Sequence, residues 1–239
     1  MSENGFRDPN YWSDAWVRHI EAYLAAPPRC GIWLKSLFPK NKSILECAGG
    51  SCRDSRYLYN SGYHAVGTDF DEKTLSYVRQ RFAGSTFQVA EEDAYGFRYE
   101  DKLFDLTFHN GFWVLFDSKR DLIELLKEQS RITRRTVVAL VHNARNRELV
   151  ARFKKKAKHD TLYKIRFFET DELVDVVRSS GIKYSCLRFE KFGGPADRLF
   201  SLEKRLPFIS QVVRWFVPKL YRFQPWSKVE RIALIVDLE

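Results

Sequence analysis

The chain has 239 residues, of which 44% are hydrophobic and 30% are charged. This length supports one hydrophobic core and is short for two, so we expect a single domain over residues 1–239. No apolar run approaches the roughly 20 residues of a membrane-spanning helix, and the first residues lack the pattern of a signal peptide. The four cysteines form no CxxC pair and the histidines have no metal-ligand spacing near them, so we predict reduced thiols, no metal and a cytoplasmic location.

Positive charge is concentrated in the second half of the chain. Residues 1–130 carry 16 Lys and Arg against 19 Asp and Glu, whereas residues 131–239 carry 24 against 12. The balances are therefore −3 and +12, which sum to the net charge of +9. A basic surface suits a phosphorylated substrate, a nucleic acid or an anionic membrane face, and solvated helix faces explain it equally well.

Apolar periodicity predicts alternating helices and strands over most of the chain. The predicted helices cover residues 10–25, 31–37, 54–60, 71–82 and 118–130, and a further capped helix begins at residue 168 and ends before Gly181. The predicted strands cover residues 43–47, 65–69, 87–89, 104–109, 136–142, 184–190 and 230–238. Strands that alternate with helices of this length indicate βαβ units and a parallel sheet covered by helices.

Residues 192–226 hold eight aromatic side chains in 35 residues and three prolines that we expect to divide the segment into short helices. We expect the aromatics to form the wall of an apolar or sugar-binding pocket. The alternatives are contact with a membrane surface, because Arg205, Arg214, Lys219 and Arg222 are interleaved, or simple packing on the sheet. The basic run 152–158 is interpreted as a solvated helix face or as a site that steers phosphate.

The most specific motif is the strand, turn and helix spelled ILECAGGSCRDS, residues 44–55. A glycine-rich turn at this place lets backbone N–H groups approach an anionic or nucleotide ligand. Asp69 ends the second predicted strand, where a carboxylate can accept hydrogen bonds from ribose hydroxyls. Asp93 follows the third strand. From the residues alone, Asp69 as a helix cap and Asp93 as a solvated acid are open alternatives.

This series of motifs resembles the class I S-adenosylmethionine-dependent methyltransferases, from about Ser43 to Asn143 and more weakly over residues 168–192 and 231–238. The first motif of that family reads acidic-x-Gly-x-Gly-x-Gly, and here residues 46–52 read Glu-Cys-Ala-Gly-Gly-Ser-Cys. Gly50 is kept, whereas Ala48 and Cys52 replace the outer glycines. Alanine does not easily take the positive φ that is open to glycine, although small side chains leave room for a ligand.

The resemblance implies a Rossmann-like α/β fold, with a mostly parallel seven-stranded sheet covered by helices on both faces and the last strand antiparallel. It implies S-adenosylmethionine as cofactor and S-adenosylhomocysteine as product, a cofactor-binding core over residues 43–143, an N-terminal lid within residues 1–42 and a substrate-covering insertion over residues 192–228. The implied cofactor contacts are the turn residues Ala48 and Gly50, Glu46 at the methionine end, Asp69 at the ribose, Phe70, Asp93 and Ala94 around the adenine, the Asn110 backbone, and Tyr11 in the lid.

Two histidines are candidate general bases for the transfer. His142 ends the fifth predicted strand at the ligand edge of an open sheet, and His109 lies beside Asn110; transfer by proximity alone is the alternative. The predicted reaction moves a methyl group to an oxygen or nitrogen of a small or medium-sized, phosphate-bearing acceptor, such as a sugar-linked or lipid-linked one. The alternatives are an RNA methyltransferase, a nicotinamide-dependent oxidoreductase, which lacks its intact GxGxxG here, and a non-catalytic binding protein of the same fold.

Overall fold

The computed structural model describes residues 19–40 and 42–239, and in this part of the chain the strands form one sheet. The order of the strands across the sheet is β3-β2-β1-β4-β5-β7-β6. The first five strands run parallel, and β7 is antiparallel to both of its neighbours. The strands are β1 (Ser43–Glu46), β2 (His64–Asp69), β3 (Gln88–Glu91), β4 (Phe104–Asn110), β5 (Thr133–His142), β6 (Tyr184–Phe192) and β7 (Arg231–Leu238). The Rossmann-like fold class inferred from the motifs is confirmed.

Helices connect the strands and begin where the sequence supplies a cap. Asp71, Ser118 and Asn146 each accept a hydrogen bond from a backbone N–H in the first turn of the helix that follows. Residues 19–25 are helical as well. The bounded α-helices are α1 (Arg29–Leu37), α2 (Arg53–Asn60), α3 (Glu72–Arg81), α4 (Lys119–Ile132), α5 (Arg147–Lys156), α6 (Thr170–Ser180), α7 (Phe200–Arg205) and α8 (Ser210–Tyr221).

Helices cover both faces of the sheet, and β5 shows the consequence for the sequence. Val138 and Leu140 point to the face packed by α1, α2 and α8, whereas Val137, Ala139 and Val141 point to the face packed by α4 and α6. Because neither face of this central strand contacts water, it is apolar without alternation. The buried apolar run in the sequence therefore reports a strand that is covered on both sides.

The segment between β6 and β7 differs from the prediction at one proline. Pro207 begins a short 3₁₀ turn and Pro225 precedes another, but Pro218 lies inside α8 and does not end it. Proline removes one helical N–H, yet Val217 and Tyr221 on the same helix are fully buried in the core. Tertiary packing of this face holds the helix across the proline.

The parallel strands place their carboxyl ends along one edge of the sheet, where β1, β2, β4 and β5 end at Glu46, Asp69, Asn110 and His142. This is the edge at which open α/β sheets bind ligands. Among the described residues, no helix has both the length and the apolar character needed to cross a bilayer, and no group of His, Cys, Asp and Glu is arranged to hold a metal ion. All four cysteines are free.

Candidate active site

The glycine-rich turn after β1 takes three left-handed residues to complete. Gly50 has a φ of +53°, and Ala48 and Cys52 adopt the same conformation at +49° and +48°. Ala48 therefore adopts the conformation that alanine does not easily take, and the turn keeps its geometry without a glycine at this position. A left-handed L-residue costs roughly 1–2 kcal/mol, and the turn is held nonetheless, because the Gly49 N–H donates to the Thr68 carbonyl at 2.7 Å.

The Cys52 side chain occupies space that β2 leaves open. A Cβ atom built on Gly67 would lie 2.6 Å from both Cβ and Sγ of Cys52. Cys52 is fully buried, so its side chain fills the position that any larger residue at 67 would need. The departure from glycine at 52 is thus matched by a glycine on the neighbouring strand.

Asp69 ends β2 with its carboxylate turned to the glycine-rich turn. Its Oδ2 accepts from the Gly50 N–H at 2.7 Å and its Oδ1 from the Asp71 N–H at 3.1 Å. A carboxylate has about four acceptor positions, so capacity remains for two further donors. Burial raises the pKa of Asp69 to about 6. The cap of the following helix is Asp71, which accepts from the Lys73 N–H at 3.2 Å, so Asp69 is not used as that cap.

The Glu46 carboxylate lies at the end of β1, close to the Asp54 carboxylate. Glu46 Oε2 accepts from the Ser55 N–H at 2.8 Å and from the Ser55 hydroxyl at 2.5 Å. Asp54, which is also buried, accepts from the Gly31 N–H at 2.9 Å and from Asn110 Nδ2 at 3.2 Å. Burial and the Asp54 charge raise the pKa of Glu46 to about 8. The pair favours a cationic group, which would relieve the repulsion between the carboxylates.

Charged side chains from distant parts of the sequence continue this network. Arg231 donates to Asn110 Oδ1 and also contacts Glu230. Arg29 donates through two nitrogens to the Glu230 carboxylate, at 3.0 and 3.1 Å, and to Asp197. Burial opposes ionisation of Glu230, but Arg29 and Arg231 lower its pKa to about 2. The network fixes the starts of α1 and β7 beside the end of β4.

A cavity of about 640 Å³ opens over this edge of the sheet, within the range of small-molecule sites. One part of its wall is polar and comes from the turn and the strand ends, with Glu46, Ala48, Gly49, Ser51, Arg53, Asp54, Asp69, Asn110, Glu230 and Arg231. The other part is largely apolar and comes from the loops after β2, β4 and β5, with Phe70, Phe112, Val114, Leu115, Phe153, Leu162, Tyr163 and Ile165. Helical residues 19–25 contribute His19, Ala22 and Tyr23.

The two candidate histidines differ in position. His142 lines the cavity, and its Nδ1 has no hydrogen-bond partner among the described residues. Burial and the nearby Arg231 charge hold the pKa of His142 well below its usual value. His109 is fully buried against Phe112 and Trp113 and does not line the cavity. Burial lowers the pKa of His109 to about 3, so its position and environment are those of a core residue.

Comparisons with known proteins agree with this geometry. Residues 44–136 match the family model of a methyltransferase domain. A methyltransferase structure from Thermotoga maritima, described as a possible histamine N-methyltransferase, superposes with a TM-score of 0.60 and 17% identity over 96% of this chain and 99% of that one. A second methyltransferase, from Archaeoglobus fulgidus, superposes with a TM-score of 0.54 and 17% identity over 98% and 97%. No curated protein sequence matches significantly.

Residues 44–136 are therefore similar to a methyltransferase domain, and the described chain has the fold of S-adenosylmethionine-dependent methyltransferases. The residues at the glycine-rich turn fit S-adenosylmethionine. Free acceptor capacity on Asp69 suits the ribose hydroxyls, the Glu46 and Asp54 carboxylates suit the ammonium of the methionine end, and Phe70 offers an apolar surface beside them. Gly49 keeps the turn thin, since a Cβ there would lie 3.1 Å from Glu46 Cδ and from Cys52 Sγ.

Some of the predicted cofactor contacts do not reach the cavity. Asp93 is exposed and its Oδ1 accepts from the Tyr95 N–H at 2.9 Å, while Ala94 packs near Leu45; neither lines the cavity. Gly50 lies behind the wall, where its N–H is used by Asp69. The predicted lid residue Tyr11 lies outside the described residues.

The segment 192–228 does not cover this cavity, in contrast to the prediction. None of its described residues is among the lining residues. Phe192, Phe200, Val217 and Tyr221 instead pack with Trp33 of α1 in the core of one sheet face. The aromatic enrichment of this segment therefore serves packing in its buried half.

Sequence reasoning missed the cluster of Asp54, Arg29, Glu230 and Arg231. The predicted fold did indicate where one member, Arg231, would lie. Because β7 is antiparallel to β5, its first residues must lie beside the last residues of β5, and the structure pairs His142 with Arg231. Arg29 has no comparable signal, since its position depends on how α1 packs.

The left-handed alanine leads to a stability prediction. Replacing Ala48 by glycine removes the strain of the left-handed conformation, and the loss of about 0.5–1 kcal/mol of backbone entropy offsets only part of that gain. We expect Ala48→Gly to raise the free energy of unfolding by roughly 0.5–1 kcal/mol, measured by urea denaturation. Ala151→Gly on the exposed surface of α5 is the control and should lower stability by about 1 kcal/mol. Equal losses in both variants would contradict strain at Ala48.

The raised pKa of Glu46 leads to a pH prediction. The folded state keeps a proton on Glu46 up to about pH 8, whereas the unfolded chain has released it above about pH 5. Without cofactor, the free energy of unfolding should therefore fall by about 1 kcal/mol between about pH 7 and pH 8 through this group. Asp69, with a pKa of about 6, and the buried His109 and His142, whose pKa values are lowered, have completed most of their titration below this range.

The isosteric variant Glu46→Gln should remove this part of the pH dependence. The difference in slope between the two proteins is measured by urea denaturation at the two pH values. Glu124→Gln, which changes an exposed carboxylate on α4, should leave the slope of the original protein unchanged. Identical slopes for all three proteins would show that Glu46 is already ionised at neutral pH.

Proposed function

We propose that this protein is an S-adenosylmethionine-dependent methyltransferase that methylates an oxygen or nitrogen of a small or medium-sized acceptor carrying a phosphate or similar anionic group. The observation that carries this proposal is a pair of cations among the residues that line the cavity. Arg152 and Lys156 lie one turn apart on α5 and both line the cavity, beside the apolar side chains of Phe153 and Ile165. Such a wall suits an acceptor with an anionic end and an apolar or ring-shaped body.

Both cations are available to an anion. In the described part of the chain, neither Arg152 nor Lys156 forms a salt bridge with a carboxylate. Lys154 and Lys155 lie between them on the same helix. Lys156 Nζ donates to the Tyr163 hydroxyl at 3.3 Å and lies 4.5 Å from the centroid of that ring. These contacts orient the ammonium and leave its charge uncompensated.

The reaction needs an electrophile, a nucleophile and an outlet for a proton. Bound at the glycine-rich turn, S-adenosylmethionine would supply an activated methyl group on a sulfonium centre. An acceptor oxygen or nitrogen that took this methyl group would have to release its proton to a group of the protein or to solvent. In-line positioning of the acceptor by the cavity wall supplies a large part of the rate acceleration.

His142 is proposed as the group that accepts this proton. Its lowered pKa keeps the imidazole neutral at physiological pH, and Nδ1 has no partner among the described residues. Glu230, which is ionised, favours the charged imidazolium once the proton arrives, whereas Arg231 and Arg29 oppose it. The Phe153 and Phe167 rings contact each other and both pack edge-to-face against His142, which restricts the orientation of the imidazole.

The test of the acceptor class uses charge removal on α5. With phosphate-bearing acceptors, we expect Arg152→Gln with Lys156→Gln to raise KM by about tenfold or more, because each charge-assisted contact contributes on the order of 1 kcal/mol. Binding of S-adenosylhomocysteine should be unchanged. The control variant Lys154→Gln with Lys155→Gln removes the same charge from the exposed side of α5, away from the cavity.

The readout is release of S-adenosylhomocysteine across matched acceptors with and without a phosphate ester. An equal rise of KM in the cavity variant and in the control variant would show that the cavity cations act only through the overall surface charge and do not contact the acceptor. Activity only on uncharged acceptors would overturn the proposed class.

The base is tested through a pH profile. We expect kcat/KM to be flat above about pH 6.5 and to fall only at lower pH, since His142 titrates below its usual range. His142→Gln should lower kcat by about 10²-fold or more with little change in cofactor affinity. His159→Gln, an exposed histidine, is the control. If kcat of His142→Gln stays within twofold of the original value, His142 is not the base and its side chain contributes only to positioning.

A further inference from the structure

Large apolar side chains project into solvent from the segment between β6 and β7. Phe208 is 81% exposed, Phe223 72% and Trp215 63%. We define the α8 stripe as these residues with the exposed side chains of Leu206, Val212 and Phe216. A concentration of exposed aromatic residues on one element marks a contact surface, because scattered single apolar residues are the norm elsewhere.

The stripe is a separate face of α8 from the one that holds the fold together. The exposed residues Val212, Trp215, Phe216 and Lys219 lie on one face of the helix. Val212 is three residues before Trp215 and four before Phe216, and Lys219 follows these two by four and three residues. Val213, Val217 and Tyr221, on the opposite side of the helix, are buried. The helix is therefore apolar on two faces, and only one of them is used by the core.

The charge around the stripe has one sign. From residue 204 to residue 228 the sequence contains six Lys or Arg and no Asp or Glu. Arg205, Lys219 and Arg222 are exposed, and none of them forms a salt bridge with a described residue. Lys219 Nζ lies 3.1 Å from the centroid of the Trp215 ring, and the Arg222 guanidinium 4.6 Å from that of Phe223. The cations are thus placed directly among the exposed rings.

We propose that the α8 stripe docks on the surface of an anionic lipid bilayer. Aromatic residues enter the headgroup region of such a surface, and the cations between them meet lipid phosphates. A symmetric contact with a second copy of this chain would instead bring Arg205, Lys219 and Arg222 of each copy against those of the other. Charge complementarity therefore selects the lipid surface as the occupant.

The proposed contact is peripheral. The 12 residues of α8 extend about 18 Å, which suits a helix lying in the plane of the interface. Pro218 and the buried face keep the helix attached to the domain. The whole domain would be held at the membrane with the α8 stripe facing it.

Flotation of the full chain with lipid vesicles tests this proposal. We expect binding to vesicles of phosphatidylcholine with about 30% phosphatidylglycerol, little binding to phosphatidylcholine alone, and weaker binding as salt rises. Two stripe variants separate the contributions. Trp215→Ser with Phe216→Ser removes apolar contact, and Lys219→Glu with Arg222→Glu reverses charge; each should weaken binding by about tenfold or more.

Matched controls carry the same types of change elsewhere. Leu103→Ser alters another exposed apolar residue, and Lys154→Glu with Lys155→Glu reverses two exposed cations on α5. Circular dichroism checks that all variants are folded. Absence of binding to anionic vesicles, or binding that the α5 variant lowers as much as the stripe variants do, would overturn the proposal. A dimer that Trp215→Ser with Phe216→Ser dissociates, with no vesicle binding, would assign the stripe to self-association.

Discussion

The ion pair between Arg29 and Glu230 joins two ends of the described chain at the mouth of the active site. From Glu230 the contacts pass through Arg231 to Asn110, then to Asp54, and return to α1 at the Gly31 N–H. The polar contacts form a closed ring around the ends of β4 and β7. Removal of one partner from a buried charge pair costs about 3–5 kcal/mol, so each member of the ring holds the others in place.

This ring explains how a site with many charges stays ordered. Glu46 and Asp54 repel each other, and burial adds to the cost of ionising them. Asp54 is nonetheless held by a backbone N–H and an amide, and the Arg231 side chain fixes that amide from its other end. Asp54, which also contacts Arg53, and the protonated Glu46 both line the cavity where the methionine end of the cofactor is expected. These two side chains can therefore still form favourable contacts with the ligand.

The sequence predicted the fold well because strands and helices alternate and because residues 137–141 of β5 form an unbroken apolar run. It also predicted the acids at the ends of β1 and β2, whose roles follow from the topology of an open sheet. It failed where position depends on packing between distant segments. Asp93 follows the right strand but turns to Tyr95, and the aromatic residues before β7 pack on α1 instead of over the cavity. A local sequence pattern does not indicate against which distant element an inserted segment will pack.

The contact between Cys52 and Gly67 has a consequence for variants of this turn. With any side chain at 67, a cysteine at 52 would collide with β2, because the added Cβ would lie 2.6 Å from Cβ and Sγ of Cys52. Positions 52 and 67 are therefore coupled by space, since the present backbone has no room for a side chain at both. The residue chosen in the ligand-binding turn thus limits the residue that the neighbouring strand can carry.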